Sequence, residues 1–131
     1  MNLRIVSWNV RGLNEQDKWL RVRSLVRKWK ADFVCLQETK MELINRGVIS
    51  SLWGGQYLDW LYLGSVGVSG GILLMWDNRV VDKVEEAVGR FSVSVSLSLV
   101  NSKMWWIILF VLSLVFMDPL VIEIEVSYGR S

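Results

Sequence analysis

The first forty residues change their hydrophobic period twice, and that change restricts the fold more than any other feature of the chain. Leu3 to Trp8 is rich in strand-forming residues and ends at Asn9. Gly12 and Asn14 then mark a loop. From Asp17, a fair N-cap, Trp19, Val22, Leu25, Val26 and Trp29 recur at helical spacing. Lys18, Arg21, Arg23, Arg27 and Lys28 fall on the other faces. Ala31 to Leu36 is a near-continuous apolar run, the pattern of a strand covered on both faces. Strand, helix and strand in that order predict a parallel crossover unit and an α/β fold class. Parallel neighbours would deliver Asn9 and Glu38 to the same edge of the sheet, where open α/β sheets bind ligands.

The remainder reads as further strands joined by turns. Met41 to Leu52 is a weak helix or loop. Tyr57 to Leu63 and Ile72 to Trp76 are strands, separated by a glycine-rich turn over Gly64 to Gly71. Asp77 and Asn78 suggest a hairpin turn before Val80 to Val88. Phe91 to Val100 alternates apolar residues with serine, as a half-buried antiparallel strand does.

At 131 residues the chain is long enough for one domain, and a hydrophobic fraction of 52% supplies a core. A net charge of +2 is too small to establish a nucleic-acid partner by itself. Cys35 is the only cysteine, so no internal disulfide forms, and its apolar surroundings predict a buried reduced thiol. Arg4 interrupts the apolar start, so no signal peptide is expected. The chain has no histidine, which removes the commonest general base.

Two side chains carry chemical interest. Glu38 is a hard oxygen ligand suited to Mg²⁺, which often takes only one or two protein carboxylates. Asn9 can donate to a phosphate oxygen or orient a carboxylate. Spacing alone favours the plainer reading of Glu38 as a solvated turn residue.

The segments SWNVRGLN (7–14), LQETK (36–40) and SGGILLMWD (69–77), in that order, resemble the endonuclease/exonuclease/phosphatase superfamily. They are most similar to the endonuclease domain of plant LINE-type retrotransposon polyproteins, and the resemblance covers residues 2 to about 100. It implies a four-layer α/β sandwich, of which this chain would be the N-terminal half, incomplete. It also implies Mg²⁺-dependent cleavage of phosphate esters, with DNA as the partner and a nuclear or cytoplasmic location. Asn9 matches the active-site Asn and Glu38 the metal-binding Glu. Lys40 follows that Glu and either touches DNA phosphate or is simply solvated. The family's catalytic His and its later YGP-, GDFN- and SDH-like motifs do not occur here. The expectation is therefore a truncated, inactive remnant, with the facing sheet mostly missing and one sheet face exposed to aggregation.

Residues 101–131 form a second segment that does not fit the family pattern. MWWIILFVLSLVFM (104–117) has 14 residues, short of the about 20 that a membrane span needs. A buried or frayed helix or an aggregation-prone stretch is expected instead, with membrane association through this run as the alternative. A shifted reading frame is a third explanation. Codons chosen for residues 111–131 and read two bases later spell AFSGVYGPFSDRDRSELWEE, which contains a YGP motif. Met117 followed by Asp118 forces Gly in that frame whatever codons are chosen.

Overall fold

A computed structural model of the chain describes residues 2–67, 70–88, 92–99, 105–111 and 119–125. In order, the elements are β1 (Asn2–Asn9), α1 (Gln16–Trp29), β2 (Phe33–Gln37), α2 (Arg46–Trp53) and β3 (Leu58–Leu63). They continue with β4 (Ile72–Asp77), β5 (Val81–Val88), β6 (Ser92–Leu99), β7 (Trp105–Val111) and β8 (Leu120–Glu125). Two sheets result, one of five strands in the order β3-β4-β2-β1-β8 and one of three in the order β5-β6-β7.

The helical period acts as read through Val26, but Trp29, placed on the same stripe, is exposed. Val22 and Val26 are the buried stripe of α1, with Trp19 and Leu25 packed beside them. The N-cap lies two residues earlier than the expected Asp17. Glu15 occupies the cap position, and Asp17 lies in the first turn, where its charge suits the helix dipole. Lys30 ends α1 with φ +49° and donates its N–H to the Arg27 carbonyl. Asn45 caps α2 by accepting the Val48 N–H at 3.0 Å, which turns a weak sequence pattern into a definite helix start.

Both faces of the first sheet are buried along its central strands β2 and β4. On one, Val6, Val34, Leu36, Leu73 and Met75 pack against Val22, Val26, Ile49 and Leu52 of the two helices. On the other, Leu3, Ile5, Phe33, Cys35, Leu74 and Trp76 form a second core that includes Val81 at the start of β5. This is why β2 and β4 read as unbroken apolar runs rather than alternating ones. A helix layer, a mixed sheet and a second sheet make up the N-terminal part of an α/β sandwich. Among the described residues no helix covers the outer side of the second sheet.

Three expectations need correction. Asp77 and Asn78 do not close a hairpin, because β4 and β5 belong to different sheets; their turn carries the chain from one layer to the next. The facing sheet is present in part: Val81–Val88, Ser92–Leu99 and Trp105–Val111 form three antiparallel strands of it, and Leu3, Ile5, Phe33, Leu74 and Trp76 on the inner face of the first sheet are buried. The apolar run, for which a buried or frayed helix was one expectation, contains a strand instead of a helix, Trp105–Val111, paired to β6. Its residues 104 and 112–117 lie outside the described residues. No helix among the described residues is long and apolar enough to cross a membrane.

Candidate active site

The strand–helix–strand order does produce a parallel pair, and its register sets Asn9 directly beside Gln37. Glu38 is the next residue along. Beyond the strand ends the pairing continues through loops. Val10 N–H donates to the Gln37 carbonyl (3.0 Å), Gly12 N–H to that of Glu38 (2.8 Å) and Leu13 N–H to that of Thr39 (2.8 Å). On the opposite side Thr39 and Lys40 donate their N–H groups to the carbonyls of Gly71 (3.2 Å) and Gly70 (2.8 Å). Residues 37–40 are thus clamped between the loop of the first motif and the glycines of the third. The three sequence segments meet in one place.

The clamp holds an unusual backbone. Glu38 has φ +52° and Lys40 φ +56°, both left-handed and neither glycine. Each such position costs roughly 1–2 kcal/mol for a residue with a Cβ. Strain of this kind persists only where surrounding bonds over-determine it, and it gathers at functional sites.

Asn9 Oδ1 accepts the N–H of Arg11 at 3.1 Å, closing a tight turn in which Arg11 itself has φ +52°. That bond fixes which end of the amide is acceptor and which is donor. Glu38 is half-buried and Lys40 exposed. The stem of Lys40 runs past Gly12, where an added Cβ would lie 3.6 Å from Lys40 Cδ. The site therefore brings Asn9, Glu38 and Lys40 to one sheet edge.

Sequence reading passed over Gln37. It is buried on β2, and its Nε2 donates to Ser7 Oγ at 3.4 Å. Strand alternation puts Ser7 and Asn9 on the same face as Cys35 and Gln37. The available signal was a lone amide at the end of an otherwise apolar run.

Cys35 lies behind this cluster. Burial pushes its thiol up to about 12, outweighing hydrogen bonds with Gln37 and Ser7. The native thiol is expected to resist Ellman's reagent and to react only on unfolding. Its folded pKa is raised, so the unfolded chain loses this proton first as pH rises. Stability should fall from about pH 9 toward pH 12, by at most about 1.4 kcal/mol per pH unit. Cys35→Ala should remove that part of the slope in alkaline urea melts.

The ion pair between Asp77 and Arg79 sits at the opposite end of the sheet, with 2.9 Å between Arg79 Nη2 and Asp77 Oδ2. Burial alone would raise Asp77, but the bonds from Arg79 hold it below the usual carboxylate range. This pair closes a turn and takes no part in the site.

Residues 6–106 match the sequence pattern of the Endonuclease/Exonuclease/phosphatase family. The chain belongs to this family. Its fold also matches solved structures. The AP endonuclease LMAP from Leishmania major superposes with a TM-score of 0.57 at 17% identity, covering 74% of this chain and 36% of that one. D. rerio TDP2, complexed with a single-strand DNA product, gives 0.56 at 20% identity, covering 81% and 44%. The 3′ phosphatase NExo from Neisseria, bound to a product DNA hairpin, gives 0.57 at 17% identity, covering 73% and 38%. A search of the curated proteins found no match. The chain spans less than half the length of these three structural relatives.

The donor set of this endonuclease/exonuclease/phosphatase chain restricts which metal it suits. Among the described residues no three His, Cys, Asp or Glu side chains gather into one group. A structural zinc site or an all-protein calcium cage needs more ligands than that. One half-buried carboxylate beside an amide is a hard donor set that suits a hard divalent cation with much of its shell left open.

Proposed function

We propose that this chain is the N-terminal part of a Mg²⁺-dependent phosphodiesterase acting on DNA, of the LINE retrotransposon endonuclease type, and that these 131 residues do not turn over by themselves. The observation that carries the reading is the register. Asn9 and Glu38 emerge together at the carboxyl edge of a parallel pair, on a backbone clamped in left-handed conformations. Glu38 would hold the metal, and Asn9 would hydrogen-bond a phosphate oxygen. A bound Mg²⁺ would supply neutralisation of charge developing on the phosphate. The LINE assignment rests on the wording of the three motifs, and DNA as partner is supported by the DNA-bound relatives.

Inactivity follows from the side chains present. No histidine is available to activate water, a deficit worth about 10²–10⁴ in rate. Incubation of the chain with supercoiled plasmid and Mg²⁺ should give no nicking above that of Glu38→Gln. Mn²⁺, used as a paramagnetic Mg²⁺ mimic, should broaden amide signals around residues 9–12 and 37–40. Glu38→Gln should weaken that effect by at least about tenfold. Broadening that survives Glu38→Gln would sink the metal assignment, and Glu38-dependent nicking would sink the inactivity.

We also propose that residues 101–131 are read in a shifted frame. The YGP-containing alternative frame supports this. The pairing of β8 to β1 does not oppose it, because an alternating segment such as VIEIE can occupy any open strand edge. Sequencing of transcript and genomic DNA through these codons and beyond tests it. A continued frame carrying GDFN- and SDH-like motifs is the expected result, and an intact written frame with none of them ends the proposal.

A further inference from the structure

One flank of α1 packs on α2, and the other packs on no helix among the described residues. On the packed flank Arg27 Nη2 donates to the Gly54 carbonyl, and a Cβ added at Gly54 would lie 2.6 Å from Arg23 Nε. At 3.6 residues per turn, Arg21, Leu25 and Lys28 fall on the other side of the buried Val22 and Val26. There a groove of about 410 Å³ runs between α1 and β1, lined by Trp8, Leu20, Arg21, Ser24, Leu25 and Lys28. Its floor is apolar. Trp8 and Leu25 are half-buried against the helix-side core, and Leu20 is 63% exposed. A lone exposed leucine is ordinary, but one beside a tryptophan in a concavity with a polar rim has the form of a docking surface. The rim is cationic. Arg21 and Lys28 line it, Lys18 Nζ stands 5.6 Å from the centroid of the Trp8 ring, and no carboxylate lines it. Asp17 is the only acidic residue of α1.

We propose that this groove docks an acidic amphipathic helix of a partner protein, apolar face on the floor and carboxylates against the rim. Shape and charge choose the occupant. The groove offers side chains rather than free backbone N–H and C=O groups. It therefore suits a segment that satisfies its own backbone, as a helix does and an extended strand does not. From Leu20 to Lys28 the lining runs about 12 Å along α1, the length of about two turns of a partner helix. That admits apolar anchors at i, i+3 or i+4, and i+7. Leu20 and Leu25 on the floor disfavour a phosphate backbone, which would lose its water there without gaining a donor. Arg21 and Lys28 match carboxylates on the flanks of the incoming helix. Neither Asn9, Glu38 nor Lys40 lines the groove, so the inference stands apart from the phosphodiesterase reading.

The test is fluorescence anisotropy of a labelled peptide added to the full chain. The probe is a helix-forming sequence with leucine at i, i+4, i+7 and i+11 and glutamate on both flanks. The controls are the same composition scrambled and a version with lysine in place of glutamate. The patterned glutamate peptide should bind at least about tenfold more tightly than either control. Leu20→Gln should weaken it at least about fivefold without shifting the circular dichroism melt, because this side chain is mostly exposed. Arg21→Glu/Lys28→Glu should reject the glutamate peptide and accept the lysine one, a reversal that an unfolded variant cannot produce. Lys30→Gln/Arg46→Gln removes two charges that do not line the groove and should change little. The proposal is overturned if the scrambled peptide binds as well as the patterned one, or if charge reversal leaves the preference unswapped. It is also overturned if a DNA duplex or phosphatidylcholine/phosphatidylserine vesicles bind through Leu20, Arg21 and Lys28 while the peptide does not.

Discussion

Gly71→Ala is expected to destabilise the chain by about 3 kcal/mol in urea melts, because overpacking and a forced left-handed backbone act together there. An added Cβ would lie 2.2 Å from Thr39 Oγ1 and 3.4 Å from the Lys40 nitrogen, and Gly71 has φ +95°. Thr39 is fully buried and cannot swing away. Gly70 next door is the internal control. Its φ is +78°, but an added Cβ there meets nothing within 4 Å. Gly70→Ala should therefore cost only about 1 kcal/mol, the backbone part alone. Thr39→Ala should recover part of the Gly71→Ala loss in a double-mutant cycle, since it removes the atom that is struck. Equal melts for Gly70→Ala and Gly71→Ala would mean that the loop does not sit on residues 38–40 as described. The consequence reaches the site. The Gly71 and Gly70 carbonyls accept the N–H groups of Thr39 and Lys40, so pushing this loop away releases the backbone that aims Glu38.

The second large effect lies in the inner core. Phe33 and Trp76 stack with centroids 5.8 Å apart and planes 8° from parallel, both almost completely buried. Trp76→Ala should cost about 4 kcal/mol, a transfer loss plus the cavity left between two sheets. That is a large fraction of the 5–15 kcal/mol typical of a domain's total stability, so this variant should be substantially unfolded at room temperature in mild urea. Trp76→Phe should be far milder, about 1 kcal/mol. Trp76 Nε1 is buried with no partner among the described residues, so the smaller ring removes an unsatisfied donor along with some volume. Circular dichroism melts of both variants decide the matter. A Trp76→Ala chain as stable as the parent would show that this face is not buried against a second sheet.

Much of the first half was legible because local pattern and tertiary demand agree there. Val22 and Val26 fall on the buried stripe that their spacing announces, and the apolar run through Phe33 to Leu36 is buried on both sides as such runs usually are. Asn9 and Glu38 could be placed at one edge because a short helix between two strands leaves a parallel crossover as the natural connection. The turn at Asp77–Asn78 misled because hairpins and sheet-to-sheet connections use the same turn residues. The apolar run from Trp105 to Val111 misled because an unbroken apolar segment has no period, and a strand cannot then be told from a helix. Gln37 went unnoticed because a polar residue at a strand end looks like punctuation until its neighbour in register is known to be Asn9.

By itself the sequence determined the α/β class, the parallel pair and the candidate residues Asn9 and Glu38, because these depend on periodicity and side-chain chemistry within short windows. Only the tertiary structure decided that Gly70 and Gly71 clamp residues 38–40 and that Gln37 stands beside Asn9. It alone showed that Trp8, Leu20 and Leu25 line one groove and that Phe33 stacks on Trp76. Those relations join residues far apart in the chain, and no local pattern encodes the register and close backbone approach that create them.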